Sequence, residues 1–333
     1  MHFVTLGMFI IDEFSFLDDD GNPIPKTLAP QIGGGGTYAS IGARIWLPPS
    51  QVGMIVDRGS DFPSAMENKL AEFGQEMWVY RDQPVGTTRA LNSYRGDHRS
   101  FNYLTPRIRI TPHDLEGTRL ARSNTLHFIC SPSRASVIMS EVQQIDGWSP
   151  TTIYEPIPDR CVPEELKPLV EVLPSIDILS PNAEEALCLL SLPLPPRKSS
   201  IEEAARKFLE LGVGKDGKGA VIIRSGSMGA YVAMKDKAPG WVPAFWNSDR
   251  DPEKIVDVTG AGNSFLGGLA AGLLLENGDI YQATFYASVS ASFTIEQGSL
   301  PSISTVTGSK EWNGDHPARR LNELRTRQTE SPA

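Results

Sequence analysis

Uninterrupted apolar runs of strand length, separated by helical segments, constrain the fold of this chain more than any other feature. The first run occupies residues 3–11, and similar runs follow at residues 52–56, 125–130, 151–154, 176–179 and 219–223. Such runs are typical of strands buried on both faces of a parallel sheet. Segments of helical character lie between them, for example residues 183–190 and 201–211. The alternation predicts an α/β fold with a doubly wound, mostly parallel sheet flanked by helices, in a single domain over residues 1–333.

Three segments differ in pattern from this alternation. Residues 13–31 are rich in Asp, Gly and Pro, and residues 77–111 alternate apolar and polar side chains. Alternation of this kind is typical of antiparallel strands with one face in water. We therefore expect these two segments to form a small β-lid inserted in the α/β domain. Residues 308–333 are polar and charged, and they predict a C-terminal tail that includes a short helix over residues 319–327.

The charge balance and the cysteine content exclude several classes of protein. Lys and Arg number 31 against 40 Asp and Glu, so the formal net charge is −9. Nucleic acids and anionic membranes select an excess of basic residues, so neither is an expected partner. Cys130, Cys161 and Cys188 lie far apart, which favours free thiols in a reducing compartment. The apolar stretches are shorter than the ~18 residues of a membrane-spanning helix, and the N-terminus lacks a signal-peptide pattern. We expect a soluble, cytoplasmic protein.

A glycine-rich segment carries the clearest chemical signal. Residues 256–268 read VDVTGAGNSFLGG, in which Gly260 and Gly262 precede a run of small and apolar residues that predicts a helix. Glycines allow the backbone to turn tightly and to approach a ligand closely. The N–H groups and the dipole at a helix N-terminus favour a bound anion. The segment is therefore a candidate site for the charge of a transferred phosphoryl group. The alternative is a tight turn that only packing requires.

This segment resembles the second signature of the PfkB, or ribokinase-like, carbohydrate kinases. Further motifs match the family in the same order along the chain: Asp12 after the first strand, the glycines at residues 33–36, residues 181–185 (PNAEE), residues 224–230 (RSGSMGA) and residues 287–298. One such motif is weak evidence, but several in order are strong. The resemblance implies a ribokinase-like fold and transfer of a phosphoryl group from ATP, with Mg²⁺, to the hydroxyl group of a sugar, nucleoside or similar small alcohol. It also implies a homodimer that pairs through the lid.

The resemblance assigns roles to individual residues. The anion-binding loop and the position of the catalytic base correspond to Gly260, Ala261, Gly262 and Asn263. Substrate contacts are expected from Asp12, Gly34, Gly35 and Tyr38. Nucleotide contacts are expected from Asn182, Ser225, Gly226, Gly229, Ala287 and Ala291. Metal sites are expected at Glu185 for Mg²⁺ and its waters, and at Asp257 and Thr259 for a monovalent cation. Without the resemblance, a helix cap for Asn182 and a solvated helix face for Glu185 would be the simpler interpretations.

Two positions depart from the family pattern. Asn263 stands where the family has the aspartate that accepts the hydroxyl proton, and an amide cannot fill this role, which is typically worth about 10²–10⁴-fold in rate. Tyr38 replaces an asparagine of many sugar-binding relatives, which favours either a flatter, less polar ligand or simple packing in the core. Three functions therefore stay open: an ATP-dependent kinase, a catalytically impaired relative that binds a nucleotide or metabolite as a sensor or partner protein, and an enzyme that runs a different reaction in the same pocket.

Overall fold

The computed structural model describes residues 1–95, 98–306 and 308–330, and for His98 and Arg99 it describes the backbone alone. Residues 96 and 97 of the predicted lid and residues 331–333 of the predicted tail lie outside the described residues. Within these ranges, no helix combines the length and the apolar character that a membrane crossing requires.

Strands and helices are numbered in chain order. The strands are β1 (Phe3–Thr5), β2 (Ile10–Leu17), β3 (Gln31–Gly33), β4 (Val52–Arg58), β5 (Trp78–Asp82), β6 (Arg89–Arg95), β7 (His98–Tyr103), β8 (Thr125–Cys130), β9 (Thr151–Pro156), β10 (Ile178–Leu179), β11 (Ala220–Arg224), β12 (Ala230–Met234), β13 (Lys237–Val242), β14 (Ile303–Val306) and β15 (Ser309–Trp312). The helices are α1 (Gly35–Arg44), α2 (Ser64–Phe73), α3 (Pro132–Gln144), α4 (Leu166–Val172), α5 (Ala183–Leu189), α6 (Lys198–Glu210), α7 (Ala261–Leu275), α8 (Ile280–Thr294) and α9 (Pro317–Glu330).

In the described part of the chain, nine strands form a central sheet in the order β13-β12-β11-β10-β9-β8-β1-β4-β5. The pairs from β11 to β5 are parallel, whereas β12 and β13 are antiparallel to their neighbours. Helices α1, α7 and α8 bury one face of the sheet, and α3, α5 and α6 bury the other. In β11, Ile222 belongs to the first core and Val221 and Ile223 to the second. Burial on both faces explains the uninterrupted apolar runs, and it confirms the predicted doubly wound, mostly parallel sheet.

The order of the strands reverses at β1. This strand pairs with β4 on one side and with β8 on the other. The chain therefore adds β4 and β5 on one side of β1 first, and it then crosses to the other side to add β8 to β13. In open α/β sheets, ligands bind beyond the carboxyl ends of the strands at such a reversal. The segments that follow β1, β8, β9 and β11 therefore define the edge where a site is expected.

Glycines allow the helices on one face to pack closely together. A Cβ atom added to Gly267 of α7 would lie 1.8 Å from the carbonyl oxygen of Ala39 in α1. One added to Gly272 would lie 2.7 Å from the Cα atom of Ala283 in α8. A glycine inside a helix costs about 1 kcal/mol relative to alanine, and here the close packing of backbones offsets that cost. As a result α1, α7 and α8 form one tightly packed layer.

A second, four-stranded sheet has the order β3-β2-β6-β7 and is called the small sheet below. The predicted lid boundaries are partly wrong. The apolar run at residues 3–11 is not one strand, because β1 ends at Thr5 and Ile10 already belongs to the small sheet. Residues 78–82 form the edge strand of the central sheet, where Trp78 is buried and the outer side stays in water. The small sheet is also not purely antiparallel, since β2 and β6 are parallel.

The predicted C-terminal helix over residues 319–327 lies within α9 (Pro317–Glu330), and the segment that contains it packs on the core. Strands β14 and β15 form a hairpin that buries Trp312 completely. Helix α9 is mostly polar in sequence, but one of its faces is buried and carries Leu321 and Leu324. The guanidinium of Arg320 is also buried, 3.7 Å from the centre of the Phe293 ring, with ion pairs to Glu296 and Asp315 at 2.8 Å each. Paired in this way, a buried charge holds the last helix on the core.

Candidate active site

The glycine loop and helix α7 form the centre of the site. Gly260 has a φ of 76°, in the left-handed region, and it caps the N-terminus of α7. The Thr259 N–H donates to Asp257 Oδ1 at 2.8 Å, which fixes the loop before it. The first N–H groups of a helix have no partner inside the helix, and the dipole makes this end positive. The predicted residues Gly260, Ala261 and Gly262 therefore lie at a helix N-terminus, where free N–H groups are available to an anion.

The Tyr38 ring packs directly against this loop at Gly260. A Cβ atom added to Gly260 would lie 2.2 Å from Cγ of the Tyr38 ring. Tyr38 retains only 6% of its exposure and belongs to the core between α1 and α7. Of the two interpretations of this residue, the structure favours packing. Its predicted contact with substrate stays a prediction.

Asn263 is held by a buried carboxylate. Its Nδ2 donates to Oε2 of Glu155, at the end of β9, at 2.8 Å. Because an ionised carboxylate only accepts hydrogen bonds, the orientation of the amide is fixed with its NH₂ group toward Glu155. The position where the resemblance predicts a base is thus occupied by a group that donates to a neighbouring carboxylate.

Glu155 joins a chain of polar contacts that runs under the site. His127 Nε2 lies 3.5 Å from Glu155 Oε2, and His127 Nδ1 contacts Thr5 Oγ1 at 2.9 Å. Thr5 Oγ1 in turn accepts a hydrogen bond from the Gly7 N–H at 2.9 Å. This arrangement suits the tautomer of His127 that carries its proton on Nε2, toward the carboxylate. The ends of β1, β8 and β9 are thereby linked to the glycine loop.

Glu155 is ionised in spite of its burial. Burial alone would raise its pKa, but Arg224 at 2.8 Å and the contact with His127 outweigh this effect and lower the pKa. Stabilisation of a buried carboxylate by a neighbouring cation is the expected outcome when the pair is close and hydrogen-bonded. The lowered pKa keeps Glu155 ionised at neutral pH, so a negative charge lies next to Asn263.

Asn182 and Glu185 form a reciprocal cap at the start of α5. Asn182 Oδ1 accepts from the Glu185 N–H at 2.8 Å, while Glu185 Oε2 accepts from the Asn182 N–H at 2.7 Å. The capping role considered for Asn182 is therefore present. A solvated helix face is wrong for Glu185, which is 6% exposed. Burial raises the pKa of Glu185 to about 7, although Arg224 lies 3.6 Å from its Oε2 and opposes the shift.

The oxygen atoms of Glu185 fit a magnesium ion whose other ligands are mainly phosphate oxygens and waters. Among the described residues, no cluster of three or more Asp, Glu, His or Cys side chains could hold a metal ion. Mg²⁺ keeps several waters and often binds through one or two carboxylates together with substrate phosphates. Glu185 can provide one such carboxylate at this edge of the sheet. The oxygen of Asp257 that faces the loop is already engaged by Thr259.

The predicted substrate residues come together beside Asn263. A Cβ atom added to Gly33 would lie 1.9 Å from Oδ2 of Asp12, and one added to Gly35 would lie 3.1 Å from Nδ2 of Asn263. Gly34 has a φ of 91°, which favours glycine, and its backbone passes close to the Met8 carbonyl. Asp12 itself is buried. The glycine segment therefore connects Asp12 to the anion-binding loop.

The predicted nucleotide residues divide into two groups. Ser225, Gly226 and Gly229 form a tight turn after β11, in which the Ser225 N–H donates to the Gly229 carbonyl at 2.7 Å. The turn begins next to Arg224, which contacts the glycine loop. Ala287 has no exposed surface and packs in the core, which leaves its methyl group no surface for a ligand, whereas Ala291 is partly exposed.

His127 and Glu155 were not among the predicted site residues, and Arg224 was named only as the start of the motif at residues 224–230. Glu155 and Arg224 each stand near the end of an apolar strand, at the sheet edge where ligands bind. That position was the available signal.

A cavity of about 730 Å³ lies at the opposite edge of the sheet, near His2 and Lys215, and none of the residues of the candidate site line it.

Comparison with known proteins agrees with this geometry. The chain matches the pfkB family carbohydrate kinases over residues 23–305. An uncharacterised protein of Schizosaccharomyces pombe is 36% identical, with 97% of this chain and 92% of that protein covered. Protein MAK32 of Saccharomyces cerevisiae is 32% identical, with 93% and 88% covered. The structure of Arabidopsis thaliana ribokinase complexed with ribose and ATP is 19% identical, with a TM-score of 0.64 and coverage of 97% and 98%. The chain belongs to the pfkB family of carbohydrate kinases.

Proposed function

We propose that this protein transfers the terminal phosphate of ATP to a hydroxyl group of a small alcohol such as a sugar or a nucleoside. The observation that carries the proposal is the left-handed Gly260 at the N-terminus of α7, with Asn263 and the segment that connects to Asp12 beside it. In the proposal the loop binds the phosphate and the carboxylate of Asp12 binds the alcohol. Membership of the family supports the same reaction type.

In this proposal the chain's own residues mainly bind and orient. Asp12 accepts hydrogen bonds from the alcohol, and the carbonyl oxygen of Asn263, whose NH₂ group is held by Glu155, accepts one from the reacting hydroxyl. The alcohol oxygen forms a bond to the terminal phosphorus, the bond from that phosphorus to the bridging oxygen of ADP breaks, and the hydroxyl proton passes to solvent. Because no ionised base contacts the hydroxyl, we expect turnover slower by about 10²–10⁴-fold than with an aspartate at this position.

The nucleotide phosphates and the metal would bind next to the glycine loop. The turn at Ser225, Gly226 and Gly229 and the cap residue Asn182 would contact the nucleotide, and Glu185 would hold Mg²⁺ through water. Bound Mg²⁺ supplies positive charge that offsets the charge of the phosphates. Asp257 and Thr259 are proposed as the site of a monovalent cation, and the small sheet as the cover of the pocket.

A second function is favoured by one observation, the amide at the base position. A chain that keeps the anion-binding loop without a base can bind ATP and an alcohol and act as a sensor or partner protein. Binding of the two ligands would be the same in both functions. Only the rate at which ADP forms in the presence of the alcohol distinguishes them.

The test is a screen of the purified protein against sugars, sugar alcohols and nucleosides with ATP, Mg²⁺ and K⁺. ADP release is followed by a coupled assay, and the phosphorylated product is identified by mass spectrometry. The matched control is Gly262→Val, because a side chain there collides with Arg224 and obstructs the loop. Alcohol-dependent product that this variant does not form supports the kinase. Saturable ATP binding without product from any alcohol supports the second function, and no ATP binding contradicts both.

A further inference from the structure

Arg224 lies at the point where the charged groups of the site meet. It ends strand β11, and only 11% of its side chain is exposed. Its Nη1 contacts Glu155 Oε1 at 2.8 Å. Its Nη2 donates to the Ser180 carbonyl at 3.1 Å and lies 3.6 Å from Glu185 Oε2. A single guanidinium thus stands between the carboxylate that holds Asn263 and the carboxylate at the start of α5.

The guanidinium also lies against the anion-binding loop. A Cβ atom added to Gly262 would lie only 2.1 Å from Nη1 of Arg224. Gly262 has an ordinary helical conformation, so the requirement for glycine here comes from the guanidinium and not from the backbone torsion angles. A phosphate held by the first N–H groups of α7 would therefore lie beside this cation.

Arg224 still has donors to offer. A guanidinium carries five N–H groups in a fixed fork. Its Nε is buried and has no hydrogen-bond partner among the described residues. The guanidinium atom that lies nearest to Gly262 is Nη1, which carries two N–H groups. A phosphate oxygen is the acceptor that a guanidinium binds most strongly, together with carboxylates.

We propose that Arg224, together with the backbone N–H groups at residues 260–263, binds the phosphate that is transferred from a nucleoside triphosphate. The proposal rests on the proposed function for the position of that phosphate, and it adds a side-chain cation to the loop. The ion pair with Glu155 holds the guanidinium in place before the ligand binds. A preorganised cation of this kind stabilises the charge of the transferring group in the transition state as well as in the bound nucleotide.

The experiment measures the binding of inorganic triphosphate, and separately of ATP, by titration calorimetry with and without Mg²⁺. It compares the unmodified protein with Arg224→Met and Arg224→Lys. The matched control is Arg81→Met, which removes another ion-paired arginine, on the edge strand β5. We expect Arg224→Met to weaken triphosphate binding at least about tenfold and Arg224→Lys to weaken it less, because an ammonium keeps the charge but not the fork. Arg81→Met should bind as the unmodified protein does.

A second measurement uses the unmodified protein, so the proposal can be tested even if Arg224→Met does not fold. The Nε–H signal of Arg224 is assigned in an ¹⁵N-labelled sample as the signal that Arg224→Lys lacks, and triphosphate is then added to the unmodified protein. A shift of this signal with the same affinity as in calorimetry supports the proposal. An unchanged signal, or a folded Arg224→Met with unchanged affinity, overturns it and leaves the proposed kinase intact. Binding that depends on Arg224 without phosphorylation of any alcohol supports the site and contradicts the kinase. No triphosphate binding overturns both.

Discussion

Replacing Asn263 by aspartate would set two carboxylates against each other. In the structure, Nδ2 of Asn263 lies 2.8 Å from Oε2 of the buried Glu155. The substitution Asn263→Asp removes that hydrogen bond, which is worth about 1.5–3 kcal/mol when one partner is charged. Two like charges ~4 Å apart repel by about 4 kcal/mol at an effective dielectric constant of ~20. Attraction of both carboxylates to Arg224 returns part of this energy. We expect a net loss of about 2–4 kcal/mol in the free energy of unfolding at neutral pH.

The loss should depend on pH with a definite sign. Repulsion by Glu155 raises the pKa of the new carboxyl in the folded protein above its value in the unfolded chain. At low pH the carboxyl is protonated in both states, it can donate to Glu155, and the variant loses little stability. As pH rises through the raised pKa, the folded state must release a proton that it holds more tightly than the unfolded chain does, and stability falls.

Urea denaturation at about pH 4 and about pH 8 measures this effect. The matched variant is the exchange Asn263→Asp with Glu155→Gln, which restores one amide facing one carboxylate. We expect it to recover at least about half of the loss at about pH 8, because the repulsion is gone. The reasoning is refuted if Asn263→Asp is as stable as the unmodified protein at about pH 8, or if it loses the same amount at both pH values.

Three further predictions address other parts of the molecule. Binding of Mg²⁺–ATP should strengthen about tenfold between about pH 6 and about pH 8, because the raised pKa of Glu185 delays formation of its carboxylate; titration calorimetry with Glu185→Gln, which should abolish this slope, checks it. Gly260→Ala should destabilise the protein by about 1–3 kcal/mol and weaken triphosphate binding, and the double variant Gly260→Ala with Tyr38→Ala should lose less stability than the sum of the two single losses, because truncation of the ring removes the clash. Arg320→Met should cost about 3–5 kcal/mol in urea denaturation, whereas its exposed neighbour Arg319→Met should cost less than about 1 kcal/mol; equal losses would contradict a buried ion pair.

The central sheet and the glycine loop could be predicted because their signals are local. An apolar run indicates that a strand is buried on both faces. A Gly-x-Gly before a helix indicates a backbone that can approach a ligand closely. The sequence also brought Asp12, the segment at residues 33–36 and Asn263 into one site through resemblance to a family, and the structure agrees with their proximity.

The ion pairs of the site could not be predicted from local pattern. Arg224 and Glu155 meet because β11 and β9 are both parallel to β10, a relation that no segment of the sequence reveals by itself. The same limit explains the error at residues 78–82. An edge strand of the central sheet has one face or edge in water, so its sequence alternates apolar and polar residues as a lid strand does. The buried face of α9 was missed because paired arginines look like surface residues in a sequence.

The glycine contacts between α1 and α7 have a mechanical consequence. The segment at Gly35 opens α1, the loop at Gly260 opens α7, and the two helices touch through Gly42 and Ser264, where an added Cβ would lie 2.0 Å from the Ser264 carbonyl oxygen. Where backbone meets backbone at these glycines there is no side chain to deform, so the two helices resist sliding past each other. If an alcohol and a phosphate bind as proposed, these backbone contacts fix the separation of the two ligands, because they hold the start of α1 against the start of α7.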